Sequence, residues 1–471
     1  MSQESKLHAY LHSDSIEEIL KKDKEAVDVL FQCSEIGEFN FIAMPTTSSI
    51  LSKLSLEITR ISYEDKGNGR FVAHKQKNGI DQGWTRFHDL QGTQFITDFF
   101  GYEEDSDEFQ EIKKAFRDLT AIEAMSNLVE GDSIFVTQCH HLIRNNVWIQ
   151  RRFNAKILSF VQALEYMDLD LKRRNIYYAK PKLRETDGRA FHYWYLLRHL
   201  IPSIADAWRV IVFGNAVIQN GPRINDVLSG LADRLENAFC ASDRIAMEFM
   251  KRPINSTEWE ILYNFNYFCL LLTGVFDTLA WLTVHRYSMS IRNHLEVSIQ
   301  IRGPKSRGAR FVNSISQKNP PLASFIKKNE DLIKLFYPMR HSAQHREPVG
   351  GAQFENRSEG WTASLAQIKS DAVTAIRKID TQGHPFSEWG LLDNLTNLLE
   401  PYRFTRKALR EIVAFSNVYI NFLDFPSLIT ALELNKKIAS AKSEEDPETC
   451  LIARVYWKRN SNLPLLFRSN Y

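Results

Sequence analysis

Apolar residues recur at helical spacing through most of the chain, and this pattern predicts a mainly α-helical protein. The clearest helix is expected from Thr257 to about His285, because this run is apolar on nearly all sides and therefore belongs at the centre of a bundle. Thr257 and Glu260 have the spacing of a capping box, which would start that helix. Further helices are predicted between 156 and 256, at 322–337 and between 352 and 443.

The N-terminal third has a different pattern. Apolar positions alternate on both sides of a Gly-Asn-Gly turn at 67–69, which predicts a β-hairpin. Helical spacing returns at 108–128, and "SIFVT" at 133–137 has the pattern of a short buried strand. We therefore predict a mixed α/β domain over 1–155, a helical bundle over 156–350 and a C-terminal helical extension over 351–471.

The helix and strand before residue 137 have a weak resemblance to PIN-like nuclease domains, in which a carboxylate follows such a strand and binds a metal. Here the strand is followed by "QCHHL", which contains no acidic residue. We therefore expect this domain to be non-catalytic. His140 and His141 are adjacent and are predicted to point apart, in a surface or packing role.

Composition narrows the class of protein. Among 471 residues there are only 20 Gly and 15 Pro, which disfavours an all-β or low-complexity chain. Five scattered Cys without a CxxC pair indicate reduced thiols, and with no apolar leader we expect a cytoplasmic protein. The most apolar run, 268–284, carries Asp277 at its middle, so a core helix is favoured over a membrane span. Motifs of nucleotide-driven motors and serine hydrolases are absent.

Positive charge is concentrated in one segment. From Arg286 to Arg346 there are 12 Lys and Arg against three acidic residues, a net charge of +9, although the whole chain carries only +2. Such clustering is the expected electrostatic footprint of a protein that binds a polyanion. The residues predicted to contact an RNA backbone are Arg302, Lys305, Arg307, Arg310 and Arg346.

The same segment ends in "YPMRHSAQH", in which Arg340 and His345 are separated by four residues. Pro338 is expected to kink or restart the helix, which would leave the amides of Met339 and Arg340 available to an anion. On a regular helix Arg340 and His345 lie about 140° apart, so they can share a substrate only through the length of their side chains, a local irregularity or a second copy of the site.

"RHSAQH" resembles the Arg-x4–6-His signature of the HEPN superfamily, and the long helix ending in "GVFDTLAWLTVHRY" resembles the central helix of that family. The resemblance covers about 190–350 and is strongest to large HEPN proteins of bacterial defence and abortive-infection systems. It implies a HEPN-like helical bundle that acts as a homodimeric endoribonuclease without metal or other cofactor.

The resemblance also assigns roles. His345 would be the acid/base, Arg340 would hold the scissile phosphate, and His341 would be an auxiliary polar group. The products would be a 2′,3′-cyclic phosphate and a 5′-hydroxyl, as expected of an RNA-cleaving toxin or anti-phage effector. Such an effector leaves room for an inhibitory or sensing partner.

Three alternatives remain open at this point. His341 and His345 share a helix face and have the spacing of zinc ligands, although a third ligand is not evident. Asp277 would either orient Arg340 or a His, or form a purely structural bridge. The third alternative is a non-catalytic helical scaffold that binds RNA or a partner protein and uses the motif only for packing.

Overall fold

The structure, a computed structural model, describes most of the chain in discrete stretches. They are 7–12, 15, 19, 33, 39–44, 59–68, 70–77, 80–88, 96, 102–104, 106–126, 133–144, 149, 153, 155–179, 184–185, 188–214, 218–250, 256–344, 351–356, 361–380, 386–391 and 397–430. The described residues form two compact units. Unit 1 contains those up to Ile176 together with those within 355–362, and unit 2 contains the others from Tyr177 onward.

Unit 1 is an α/β unit. Its elements are β1 (Leu7–Leu11), β2 (Phe39–Ala43), β3 (Thr59–Asp65), β4 (Arg70–Lys77), β5 (Ile80–His88), α1 (Asp107–Ser126), β6 (Ser133–Val136), α2 (His140–Arg144), β7 (Lys156–Leu158) and α3 (Phe160–Arg173). The seven strands form one sheet in the order β5-β4-β3-β2-β1-β6-β7. From β3 to β7 the neighbouring strands are parallel, whereas β4 and β5 extend the sheet as antiparallel strands.

Several predictions for the N-terminal third are confirmed. The hairpin turns between β3 and β4 at Gly67 and Asn68, both in the left-handed region with φ of 79° and 52°. The predicted helix is α1, whose fully buried Phe109, Ile112 and Phe116 recur every three or four residues and form one core face. The predicted strand is β6, which is buried at three of its four positions.

The domain boundary predicted at 155 is wrong, because one more strand and helix belong to unit 1. Residues 156–158 form β7, which pairs in parallel with β6, and α3 then packs against both strands. Ser159 and Gln162 form a complete capping box at the start of α3. The segment predicted to open the bundle is therefore the last βα element of unit 1, because its backbone completes the sheet.

Unit 2 is mainly helical. Its elements are β8 (Tyr178–Ala179), β9 (Arg184–Glu185), α4 (Arg189–Leu200), α5 (Pro202–Gly214), α6 (Gly221–Met250), α7 (Thr257–Arg286), α8 (Arg307–Lys318), α9 (Pro320–Lys328), α10 (Glu330–Gln344), β10 (Gly351–Asn356), β11 (Trp361–Gln367), α11 (Ser370–Asp380), β12 (Leu398–Leu399) and α12 (Pro401–Leu423). Short 3-10 turns occur at His294–Glu296, Phe386–Trp389 and Phe425–Leu428. The chain is thus mainly α with an α/β N-terminal part.

The predicted central helix is confirmed as α7, which packs along α6 and also contacts α10 and α12. Among the described residues α7 is the one helix long and apolar enough to cross a membrane, and 67% of its most apolar window is buried in the fold. We therefore regard it as a core helix. Its predicted capping box is wrong: the helix begins at Thr257, and its cap Ser256 makes no side-chain cap hydrogen bond.

The C-terminal helices share the core of the bundle instead of forming an extension of their own. Phe404 of α12 is fully buried and lies against Phe265 of α7 at a ring distance of 5.5 Å. Phe415, about three turns further along α12, lies 5.3 Å from Phe276 of α7. The boundary predicted at 350 therefore falls inside one hydrophobic core.

Three predicted helices differ from the structure in extent. The run predicted as one helix at 322–337 is two helices, α9 and α10, separated at Asn329. The helix predicted from 364 starts only at Ser370, because the preceding residues form β11. The helix predicted from 391 starts at Pro401, where proline occupies the first turn and its missing amide is harmless.

Candidate functional site

A cleft of about 950 Å³ opens in unit 2 between α10, α11 and the segment 295–308 that leads into α8. Its lining contains six cationic side chains and two carboxylates. The cationic residues are Arg302, Arg307, Lys334, Arg340, Lys369 and Lys378, and the acidic ones are Asp331 and Asp371. The cleft is therefore net positive, as the charge clustering in the sequence predicted for an anion site.

The wall formed by 295–308 is built around a close backbone approach. Ser306 caps α8 by accepting a hydrogen bond from the amide of Ala309 at 3.2 Å. A side chain at Gly308 would overlap the carbonyl oxygen of Gln300, so only glycine lets the helix start against this segment. This packing presents Arg302 and Arg307 to the cleft.

Arg340 lies in the cleft lining and is held by a partner from the central helix. Its Nη1 donates a hydrogen bond to Oδ2 of Asp277 at 2.8 Å, and the two side chains are 33% and 37% exposed. The hydrogen bond that the sequence suggested between these residues is thus present. Asp277 fixes the guanidinium in direction while leaving the pair in contact with solvent.

Tyr337 completes this arrangement and was not anticipated from the sequence. Its hydroxyl donates to Oδ1 of Asp277 at 3.0 Å, so both carboxylate oxygens are engaged by α10. Burial raises the pKa of Tyr337, and the adjacent negative charge of Asp277 raises this pKa further. Tyr337 and Arg340 are three residues apart and share a helix face, which is the signal that would have revealed the pair.

Replacing Tyr337 by phenylalanine is expected to lower the free energy of unfolding by about 1 kcal/mol, since a hydrogen bond to a partly exposed carboxylate is lost. Because the folded pKa of Tyr337 is raised, its contribution is complete below about pH 10 and is lost as the pH rises further. Urea unfolding at pH 8 and pH 10.5 measures both effects.

The matched control is Tyr263→Phe, which changes a tyrosine that is 55% exposed on α7. It should leave the unfolding midpoint unchanged at both pH values. Equal destabilisation by the two variants would show that the Tyr337–Asp277 bond contributes nothing.

The predicted restart of the helix at Pro338 is wrong. α10 continues from Glu330 to Gln344 with Pro338 inside it. Leu335, Phe336 and Met339 are almost completely buried on both sides of the proline, and this packing outweighs a cost of about 3 kcal/mol. Arg340 therefore lies near the C-terminal end of a helix, where the dipole favours a cation, and the anion site predicted from restarted backbone amides does not form.

The other residues predicted for the site are only partly brought together. Arg302 and Arg307 line the cleft with Arg340, whereas Lys305 and Arg310 are exposed and do not line it. Beyond the cleft, His341 belongs to α10, but its side chain lies outside the described part. Both His345 and Arg346 lie outside the described residues, and their roles stay predictions.

The described side chains do not include a metal-binding group. Within the described stretches no group of three or more His, Cys, Asp or Glu side chains could hold a metal ion. The zinc pair His341 and His345 falls outside the described side chains and stays untested. His140 and His141 do not point apart as predicted: their rings lie 4.4 Å apart, and Nδ1 of His141 is 3.1 Å from the Tyr102 hydroxyl.

In unit 1 the strand order reverses at β1, and the carboxyl ends of β1 and β6 meet there. His12, Ser15 and Thr137 occupy this place, are buried, and hydrogen-bond to one another at 2.9–3.3 Å. Ser15 also accepts the amide of Gln138 at 2.7 Å. The cluster therefore fastens the end of β1 to β6.

No family model, no curated protein and no solved structure matches this chain. The resemblances to HEPN and PIN-like proteins consequently depend on the sequence motifs alone.

Proposed function

We propose that the chain is a metal-independent endoribonuclease of HEPN type whose site is the basic cleft of unit 2. The supporting observation is the position of Arg340. This residue, predicted to hold a scissile phosphate, lines a net positive cleft and is oriented by Asp277. A guanidinium held by a carboxylate at one nitrogen can present its remaining donors to a phosphodiester.

The proposed chemistry needs no metal. His345, as neutral imidazole, takes the proton of a ribose 2′-hydroxyl, and the resulting alkoxide attacks the adjacent phosphorus. The bond from phosphorus to the 5′-oxygen breaks, and an imidazolium protonates that oxygen. Arg340 stabilises the negative charge on the phosphoryl oxygens, and the products are a 2′,3′-cyclic phosphate and a 5′-hydroxyl.

A homodimer suits this chemistry better than a monomer. α10 is continuous up to Gln344, and on a regular helix that ran one residue further His345 would lie about 140° from Arg340. Arg340 of one protomer and His345 of its partner would meet in a facing arrangement, with His341 as an auxiliary group. We further propose a cytoplasmic toxin or anti-phage effector that an inhibitory or sensing partner restrains.

One observation favours the second candidate, a non-catalytic scaffold that binds RNA or a partner protein. The pair between Asp277 and Arg340 joins α7 to α10, and with Tyr337 it forms a bridge that a purely structural role would also use. In that case the cleft would bind a polyanion without cleaving it.

Incubation with total RNA in excess EDTA separates these candidates. The endoribonuclease should cleave in EDTA and leave 3′ ends that resist phosphatase until mild acid opens the cyclic phosphate. RNA that is bound but stays intact would favour the scaffold. Cleavage abolished by EDTA would overturn the metal-independent mechanism.

A further inference from the structure

One wall of the cleft, the α11 wall, lies outside the motif formed by Arg340 and His345. α11 packs against α10, and the stretch from Lys369 to Lys378 faces the same cleft as Arg340. Lys369, Thr374 and Lys378 contribute two cations and a hydroxyl to this wall. They come from the part of the chain beyond 350, which the resemblance does not cover.

Cationic side chains come from every wall of the cleft, two each from the 295–308 segment, from α10 and from the α11 side. Six cations face two carboxylates, and one of these, Asp331, lies 4.0 Å from Nζ of Lys378 on the opposite wall. Lys378 is 62% exposed and Arg340 is 33% exposed, so both walls remain in contact with solvent. Asp277 and Glu330 beside the lining pair with Arg340 and Lys334, so the net charge is about +2, and its spread over three walls matches several singly charged backbone phosphates better than one phosphate group.

The dimensions of the cleft agree with this. Its volume of about 950 Å³ lies at the upper end of the range for sites that enclose one drug-sized ligand. At the same time α10 and α11 pack directly on each other, and packed helices lie about 8–10 Å apart. One flexible strand in the cleft can therefore contact side chains of both helices.

We infer that the α11 wall binds backbone phosphates, so that the cleft takes a single-stranded oligonucleotide and not a mononucleotide. Lys369 and Lys378 neutralise phosphates that flank the one at Arg340, and Lys334, which also pairs with Glu330, adds a cation from the α10 side. This inference adopts from the proposed function that the ligand is RNA, but it requires no cleavage.

The salt dependence of binding tests this assignment. A fluorescent 12-nucleotide 2′-O-methyl RNA, which lacks the attacking hydroxyl, is titrated with the full chain at several salt concentrations. For single strands the slope of log K against log salt is about −0.7 for each phosphate neutralised. Lys369→Gln with Lys378→Gln should therefore make the slope less negative by about 1.4 and weaken binding severalfold at low salt.

Two control variants make the result specific. Lys318→Gln with Lys327→Gln removes the same charge from exposed lysines that do not line the cleft, and the slope should not change. Lys369→Arg with Lys378→Arg keeps the charge and should keep the slope. An unchanged slope in the Lys369/Lys378 glutamine variant, or adenosine monophosphate binding as tightly as the oligonucleotide, would overturn the inference.

The binding assay and the cleavage assay can contradict the two proposals independently of each other. If the oligonucleotide binds in a way that depends on Lys369 and Lys378 but RNA is not cleaved, the inference about the α11 wall is supported and the proposed endoribonuclease is wrong. If RNA cleavage requires Arg340 but oligonucleotide binding does not depend on Lys369 and Lys378, the inference about the α11 wall is wrong and the proposed endoribonuclease is supported.

Discussion

Replacing Arg340 by alanine should lower the rate of RNA cleavage by about 100- to 1,000-fold, because a preorganised donor to the developing phosphoryl charge is lost. The fold should survive, since the partner Asp277 is 37% exposed and water can solvate it. Arg340→Lys should recover little activity, because an ammonium lacks the planar fork that holds Asp277 and phosphate together. Initial rates on a labelled RNA in EDTA measure both variants.

The matched control is Arg310→Ala. Arg310 was predicted from the sequence to contact RNA, but it is exposed on α8 and does not line the cleft. Its removal should change the rate less than twofold. Full activity of Arg340→Ala would contradict the proposed site, whatever the other variants do.

A mixing experiment tests whether two protomers share the site. Arg340→Ala and His345→Ala are each expected to be inactive. In a mixed dimer one of the two composite sites keeps both wild-type residues, so an equal mixture should regain about a quarter of the wild-type rate. No recovery, with mixed dimers demonstrated, would place Arg340 and His345 of one chain in the same site.

Replacing Phe276 by alanine should lower the free energy of unfolding by about 3–5 kcal/mol, the usual loss for a buried phenylalanine. Phe276 is fully buried on α7, and its ring lies 6.0 Å from Phe336 of α10 and 5.3 Å from Phe415 of α12. The cavity would therefore loosen three helices at once. Urea unfolding followed by circular dichroism measures the loss.

Trp259→Ala is the matched control on the same helix. Trp259 is 64% exposed, so its truncation should cost less than about 1 kcal/mol although more atoms are removed. If Phe276→Ala were as mild as this control, α10 and α12 would not share a core with α7.

The local pattern of apolar residues was sufficient to predict long helices and a hairpin, but insufficient to predict a short buried strand. α1 and α7 were predicted because helical spacing persists over many turns, and the β3–β4 hairpin was predicted because its turn requires left-handed residues. β1 was not predicted, since it has only five residues, all of them buried, and therefore shows no alternation. Whether such a run is a strand is decided by the strands beside it.

The sequence by itself determined the basic segment, the central helix and the candidate pairing of Asp277 with Arg340, because charge clustering and apolar periodicity are local properties. Only the tertiary structure decided that α10 runs through Pro338, that Tyr337 engages the same carboxylate, and that Lys369 and Lys378 face Arg340. These features depend on how α7, α10 and α11 pack against one another. Packing energy is shared among residues far apart in the chain, and for this reason no local pattern records it.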